Sequence, residues 1–183
     1  MSVRYEVTDV KNFVDRLERL GWINGEDYLR KYGIDFKEGD LVPFFFDKIL
    51  RDIIRKINYD VFANLSVEEE EEVLREVLDR LRGDNEVRVL DYLKYGVEVY
   101  LRKRRRKVSI RLIDYDKPEN NVFFYLREAK FRGSPDNVKP DITLYINGIP
   151  IVIVEVKRLI EPYSYLEAVR QIRRYEVYSP ELF

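Results

Sequence analysis

Two carboxylates and one amine mark the ends of two neighbouring apolar segments near the end of the chain. Asp141 begins the first segment, and Glu155 and Lys157 finish the second. The β-branched run 151–154 is typical of a strand covered on both faces. A carboxylate at the end of such a strand is costly to bury unless it is paired or coordinates a metal ion. The spacing therefore predicts either an Asp/Glu/Lys salt-bridge cluster or a cation site, and by itself it leaves both open.

A second pair of polar residues lies on the last predicted helix, from about Ser164 to Tyr178 and stopped by Pro180. Gln171 and Tyr175 are four residues apart, so they share one face of that helix. Gln171 is the only glutamine in the chain.

The elements that must position these residues change character along the chain. Helical spacing and capping residues predict helices from Thr8 or Asp9 to Gly21, from about Leu41 to Ile57, from a Ser66/Glu69 capping box to Gly83, and from Asn85 to Tyr95. After Gly96 the pattern alternates, which predicts strands over 97–102, 108–114 and 122–131 and two more around Asn147-Gly148. We therefore predict an α/β (α+β) layered fold, with a helical portion over residues 1–95 packed on a core over residues 96–183.

The turn between the last two strands decides whether the two carboxylates meet. A two-residue Asn147-Gly148 turn without a bulge would send the side chains of Asp141 and Glu155 to opposite faces of the sheet. A shared cation site requires an odd loop or one bulge between them. We expect a three-residue loop, 146–148, which pairs Asp141 with Ile153 and makes the carboxylates diagonal neighbours.

Composition excludes several classes of function. The chain has no histidine and no cysteine, which removes catalytic triads with a His base, His-metal nucleases and thiolate metal sites. With 33 basic and 34 acidic residues the net charge is -1, so any basic surface for nucleic acid must be local. No apolar run approaches a membrane span and no signal peptide is visible, so we expect a cytoplasmic protein. Abundant Glu, Lys and Arg follow the trend of proteins from hot environments.

The order Pro-Asp, Glu-x-Lys and Gln-x-x-x-Tyr resembles the PD-(D/E)xK nucleases, and specifically the amino-terminal nuclease domain of the type I restriction enzyme R (motor) subunit. The segments LIDYDKPENNVFF, INGIPIVIVEVK and EAVRQIRRYEVYSPELF are similar to that family as well. The resemblance covers residues 41–183 and is most specific from Leu112 onward. It implies a restriction-endonuclease-like mixed β-sheet flanked by helices, with an N-terminal helical portion.

The resemblance also implies roles for individual residues. Asp141, Glu155 and the backbone carbonyl of Val156 would hold Mg²⁺, with Mn²⁺ as a substitute, and Lys157 would orient or activate the attacking water. Oxygen ligands suit this hard cation, which lowers the pKa of bound water. The absence of histidine is no obstacle to such chemistry.

Two further features of the family are matched unequally. Gln171 and Tyr175 match the helix pair that supports the site. An additional acid on the first core helix cannot be aligned, and the candidates are Glu6, Asp9, Asp15 and Asp52.

The function implied is a Mg²⁺-dependent endonuclease that hydrolyses double-stranded DNA after translocation by an ATP-driven motor. The motor would lie beyond Phe183, and ATP would act only there, since the chain has no Walker A pattern. Specificity and methyltransferase subunits would be its partners. The alternatives are a free-standing nuclease of the same superfamily, resembling a junction resolvase or virus- or plasmid-borne, and a non-catalytic DNA-binding module.

One block of six like charges lies at the tip of a predicted hairpin. It is either a DNA phosphate-binding arm or a solvated turn, and it consists of Arg102, Lys103, Arg104, Arg105, Arg106 and Lys107.

Overall fold

The computed structural model describes residues 3–83, 86–157 and 164–182. The helices are α1 (Val3–Arg19), α2 (Gly25–Arg30), α3 (Asp47–Ile57), α4 (Tyr59–Phe62), α5 (Val67–Gly83), α6 (Glu86–Tyr95) and α7 (Ser164–Tyr178). The strands are β1 (Ile23–Asn24), β2 (Val97–Leu101), β3 (Arg106–Ile110), β4 (Phe123–Arg127), β5 (Ile142–Ile146) and β6 (Ile149–Val154).

Four of the strands form a mixed sheet in the order β1-β4-β5-β6. The short β1 runs parallel to β4, and the other neighbours are antiparallel. The remaining strands, β2 and β3, form a separate antiparallel hairpin. A mixed sheet flanked by helices confirms the predicted fold class.

The chain divides into two compact units. Met1–Phe45 and Phe123–Phe183 form the first unit, and Phe46–Val122 forms the second. The division predicted between residues 95 and 96 falls inside the second unit, between α6 and β2. The first unit contains the four-stranded sheet, α1, α2 and α7, so it carries all five residues of the Asp, Glu-x-Lys and Gln-x-x-x-Tyr pattern.

In the first unit α1 covers one face of the sheet. Leu17 joins Tyr125, Ile142 and Leu144 in a buried cluster, and further apolar side chains of α1 pack against it. The helix begins at Val3, earlier than the predicted cap at Thr8 or Asp9, because no Gly or Pro interrupts the preceding residues. Among the described residues, no helix combines the length and apolar character that a membrane span needs.

Strand β6 is an edge strand, contrary to the expectation that it is covered on both faces. Ile151 is 38% exposed and Val152 is 45% exposed. A β-branched run fits a buried strand, but it fits an apolar edge equally well, so the run alone did not determine burial.

The second unit combines α3 to α6 with the β2-β3 hairpin. The predicted capping box is confirmed: the Ser66 N–H donates to Glu69 Oε2 at 2.9 Å, and the Glu69 N–H donates to Ser66 Oγ at 3.3 Å. Helix α3 begins at Asp47, later than the predicted Leu41. The residues from Leu41 to Phe46 lie outside the helix: Leu41 forms a β-bridge with Lys130, and the Val42 N–H donates to the Lys130 carbonyl at 2.8 Å.

Candidate active site

The hairpin that carries the two carboxylates turns through two residues. Asn147 and Gly148 both have left-handed backbones, with φ of 56° and 89°, and Ile146 pairs with Ile149. The predicted three-residue loop is therefore wrong. Asn-Gly is the preferred dipeptide for a type I′ turn because both positions require positive φ.

A bulge farther along the hairpin brings Asp141 and Glu155 to the same face of the sheet, as the cation site requires. Tyr145 pairs with Pro150 but Leu144 pairs with Val152, so Ile151 is the extra residue of β6. The hairpin therefore meets the condition of an odd loop or one bulge between the carboxylates, although the predicted pairing of Asp141 with Ile153 is wrong.

The register places the carboxylates directly opposite each other. The last pair of the ladder is Ile142 with Val154, so the next residues along each strand are Asp141 and Glu155. Residues directly opposite on antiparallel strands point to the same face, with Cα atoms roughly 4.5–5.5 Å apart. Ile142 and Leu144 project onto the face that α1 covers. Because neighbouring residues of a strand point to opposite faces, the side chains of Asp141 and Glu155 meet on the other face.

Two backbone amides hold Asp141 in place. The Val156 N–H donates to Asp141 Oδ2 at 2.7 Å, and the Glu128 N–H donates to the Asp141 carbonyl at 3.0 Å. The first bond fixes the carboxylate against the end of β6, and the second fixes its backbone against the end of β4.

Glu155 is the most unusual group of the site. Its side chain is fully buried, and among the described residues neither carboxylate oxygen has a hydrogen-bond partner of good geometry. Lys157 Nζ lies 3.8 Å from Glu155 Oε2, which is too long for a hydrogen bond but close enough for attraction. Burial, reinforced by the Asp141 carboxylate, raises the Glu155 pKa to about 7, against the opposing effects of the Tyr175 hydroxyl and Lys157.

The structure brings Gln171 and Tyr175 together on α7. Gln171 Nε2 donates to the Tyr175 hydroxyl at 2.7 Å, and that hydroxyl donates to the Lys139 carbonyl at 2.9 Å. Tyr175 is 2% exposed, and its burial is the main cause that raises its pKa to about 12. The pair thus anchors the backbone two residues before Asp141.

The donor set fits a hard divalent cation. Asp141 and Glu155 supply carboxylate oxygens on one face. The oxygens of Glu155 are buried and have no hydrogen-bond partner over residues 3–83, 86–157 and 164–182, and a cation satisfies groups of this kind. Among the described residues, no group of three or more acidic side chains is arranged so that it could hold a metal ion. Asp9 and Asp15 belong to α1, which covers the opposite face of the sheet, so neither is supported as a further ligand.

The basic block occupies the tip of the β2-β3 hairpin, and half of it is engaged in ion pairs. Arg104 forms hydrogen bonds with both carboxylate oxygens of Glu69, at 3.0 and 2.8 Å. Lys107 pairs with Glu98 at 2.9 Å, and Arg102 lies 3.9 Å from Glu72. The side chains that project into solvent without such a pair among the described residues are those of Lys103, Arg105 and Arg106.

Sequence reasoning missed two residues that contact the site, Glu128 and Lys139. Lys139 Nζ donates to Glu128 Oε2 at 2.6 Å, and both residues are bonded through their backbones to residues of the site. Lys139 directly precedes the Pro-Asp dipeptide, which was the available signal. Glu128 carried none, because its left-handed backbone cannot be inferred from a glutamate.

Together, the fold and the site define an α/β domain with paired acids and a lysine at one end of its mixed sheet. Residues 7–183 match the family described as type I restriction enzyme R protein N terminus. The chain belongs to this family.

Individual relatives agree with the family match. The chain is 30% identical over 184 residues to the type I restriction enzyme HindI endonuclease subunit of Haemophilus influenzae, across 93% of this chain and 16% of that protein. It is 38% identical over 173 residues to a Methanocaldococcus jannaschii protein named provisionally as type I restriction enzyme MjaVIIIP endonuclease subunit, across 92% of this chain and 16% of that protein. The chain therefore spans about a sixth of the length of these relatives.

Proposed function

We propose that the chain is the Mg²⁺-dependent endonuclease part of a type I restriction enzyme R subunit, a nuclease of the PD-(D/E)xK kind. The observation that carries the proposal is the meeting of Asp141 and Glu155 on one face. The oxygens of Glu155 are buried there without a hydrogen-bond partner in the part of the chain that the structure describes, and Lys157 lies beside them. Double-stranded DNA is the proposed substrate. A motor elsewhere in the longer protein, driven by ATP, and the specificity and methyltransferase subunits are the proposed partners.

In this proposal the chain's own residues divide the work of phosphodiester hydrolysis. Asp141, Glu155 and the Val156 carbonyl would hold Mg²⁺, or Mn²⁺ in its place. When bound, the ion supplies positive charge to the scissile phosphate and acidifies a water molecule. Lys157 orients that water and adds positive charge near the phosphate.

The remaining groups keep the acids in place. The Val156 N–H holds the Asp141 carboxylate, and the carbonyl of Val156 would be the backbone ligand of the cation. Tyr175, itself held by Gln171, fixes the backbone before Asp141 through the Lys139 carbonyl. Such supporting contacts typically change metal affinity or activity about 10- to 100-fold when they are removed.

The decisive experiment measures cutting of circular DNA by the complete R subunit assembled with its partners, with ATP and Mg²⁺. Asp141→Asn should reduce cutting by more than about 100-fold, because it removes a charge from the cation site. The control is Asp136→Asn, an exposed acid on the loop before β5, which should cut like the parent. Full cutting by Asp141→Asn would favour the non-catalytic alternative.

A second outcome separates the remaining alternative. We expect the 183-residue chain alone to cut poorly, because its net charge is -1 and without the motor and the partner subunits it has only its own weak contacts to DNA phosphates. Robust cutting by the chain alone, at enzyme concentrations below that of the DNA, would favour a free-standing nuclease.

A further inference from the structure

Glu128 has a backbone conformation that glutamate rarely adopts. It directly follows β4, and its φ of 49° lies in the left-handed region. Glycine, or more rarely asparagine, is the usual residue there, because a side chain costs about 1 kcal/mol or more. Local preference alone would therefore not select glutamate at this position.

Both backbone groups of Glu128 connect neighbouring segments. Its N–H donates to the Asp141 carbonyl at 3.0 Å, and its carbonyl accepts from the Gly39 N–H at 3.0 Å. The bond from the amide continues the pairing of β4 with β5 by one residue, to Asp141, which directly precedes β5. The strained residue is therefore bonded directly to one of the two site acids.

The side chain of Glu128 makes a second connection to the same place. Its Oε2 accepts from Lys139 Nζ at 2.6 Å, and Lys139 lies two residues before Asp141. The Lys139 carbonyl in turn accepts from Tyr175. The backbone on the amino-terminal side of Asp141 is therefore held from β4 by an ion pair and from α7 by a hydroxyl.

Stability does not account for this pair. The two side chains are 44% and 43% exposed, and ion pairs of such exposure contribute only about 0.2–1 kcal/mol. That gain does not exceed the cost of a left-handed glutamate. A local conflict without a stability benefit is expected where a residue serves a functional site.

We propose that Glu128 and Lys139 form a positioning pair that holds Asp141 opposite Glu155. The proposal rests on the proposed function for its purpose, but the contacts that carry it belong to the chain without DNA or metal. Neither residue touches the reacting atoms. Their effect passes through the Asp141 backbone to its carboxylate and so to the bond from Val156.

The test follows hydrogen exchange of the Val156 amide by NMR in the 183-residue chain, without divalent cations. Glu128→Lys and Lys139→Glu should each speed this exchange by roughly two- to fivefold, the range expected for loss of an ion pair of this exposure. The double variant Glu128→Lys/Lys139→Glu restores the pair in reverse and should return the exchange rate toward that of the parent. Asp27→Asn, which removes the exposed Asp27–Arg30 pair of α2, is the control and should leave Val156 unchanged.

Three outcomes overturn the proposal: parental exchange in both single variants, failure of the double variant to restore it, or equal acceleration in the control. A parallel titration with Mn²⁺ keeps the two proposals distinct. Single variants that weaken Mn²⁺ binding by a similar factor would support the positioning role. A parent that binds no Mn²⁺ would count against the proposed function, while the exchange result would still decide the role of the pair.

Discussion

The buried carboxyl group of Glu155 predicts an unusual dependence of stability on pH. Its pKa of about 7 in the folded chain exceeds the ordinary value of 4.5. The folded chain therefore keeps this proton to higher pH than the unfolded chain, so stability falls as pH rises from about 4.5 through 7. One pKa unit corresponds to 1.36 kcal/mol, so the full loss is about 3 kcal/mol.

The perturbation that isolates this effect is Glu155→Gln, which has nearly the same shape and cannot ionise. The assay is urea unfolding at pH 4.5, 6, 7 and 8.5 in the presence of EDTA. Unfolding is followed by the fluorescence of Trp22, the single tryptophan. Its ring packs against that of Phe123 in the same unit, with 5.4 Å between the ring centroids. The free energy of unfolding of the parent, minus that of the variant, should fall by about 3 kcal/mol between pH 4.5 and 8.5.

Two controls make this result specific. Glu167→Gln, an exposed carboxylate on α7, should follow the parent at every pH. Adding Mn²⁺ at pH 8.5 should restore stability to the parent more than to Glu155→Gln, because a ligand that binds only the folded state stabilises it. A difference between parent and Glu155→Gln that does not change with pH would refute the reasoning about the buried carboxylate.

Three further predictions concern the lysine of the site and the basic hairpin. Lys157→Ala should abolish DNA cutting by the assembled enzyme while leaving the urea midpoint within the usual range of surface changes, and normal cutting would contradict its assignment. Replacing Arg105 and Arg106 by Ala should weaken DNA binding equally for all DNA sequences and reduce the slope of log K against the logarithm of salt concentration by about 2. An unchanged slope would show that the hairpin tip is a solvated turn. The hydrogen bond from Arg104 is the main cause that lowers the Glu69 pKa to about 2. Glu69→Gln should therefore lower the free energy of unfolding above pH 4.5, and by progressively less as the pH falls toward 2. Unfolding curves in which parent and variant differ equally at pH 4.5 and at pH 2 would contradict this.

The sequence predicted which residues lie together better than it predicted the path of the chain around them. Because side chains alternate between the two faces of a strand, Asp141 and Glu155 could share a face only with one bulge or an odd loop between them. The structure contains one bulge. Its position at Ile151 could not be predicted, because a bulge is set by packing of the whole strand. The Asn-Gly dipeptide favours a two-residue turn, and the prediction of a three-residue loop wrongly set this preference aside.

Helix boundaries and burial were less predictable for the same reason. The residues before Asp47 have the apolar spacing of a helix, yet they are not helical, and Val42 bonds to Lys130, 88 positions away in the chain. Such long-range pairing leaves no local signal. Likewise, the apolar character of β6 does not show which strand, if any, lies beside it.

The location of a bound cation is the most direct test of the proposal that Asp141 and Glu155 form a metal site. Crystals of the chain grown with Mn²⁺ should give an anomalous scattering peak between Asp141 and Glu155, in contact with an oxygen of each and with the Val156 carbonyl, and the peak should disappear in Asp141→Asn. A peak elsewhere, or no peak at pH 8.5, which is above the Glu155 pKa of about 7, would contradict the proposal that these acids form a metal site.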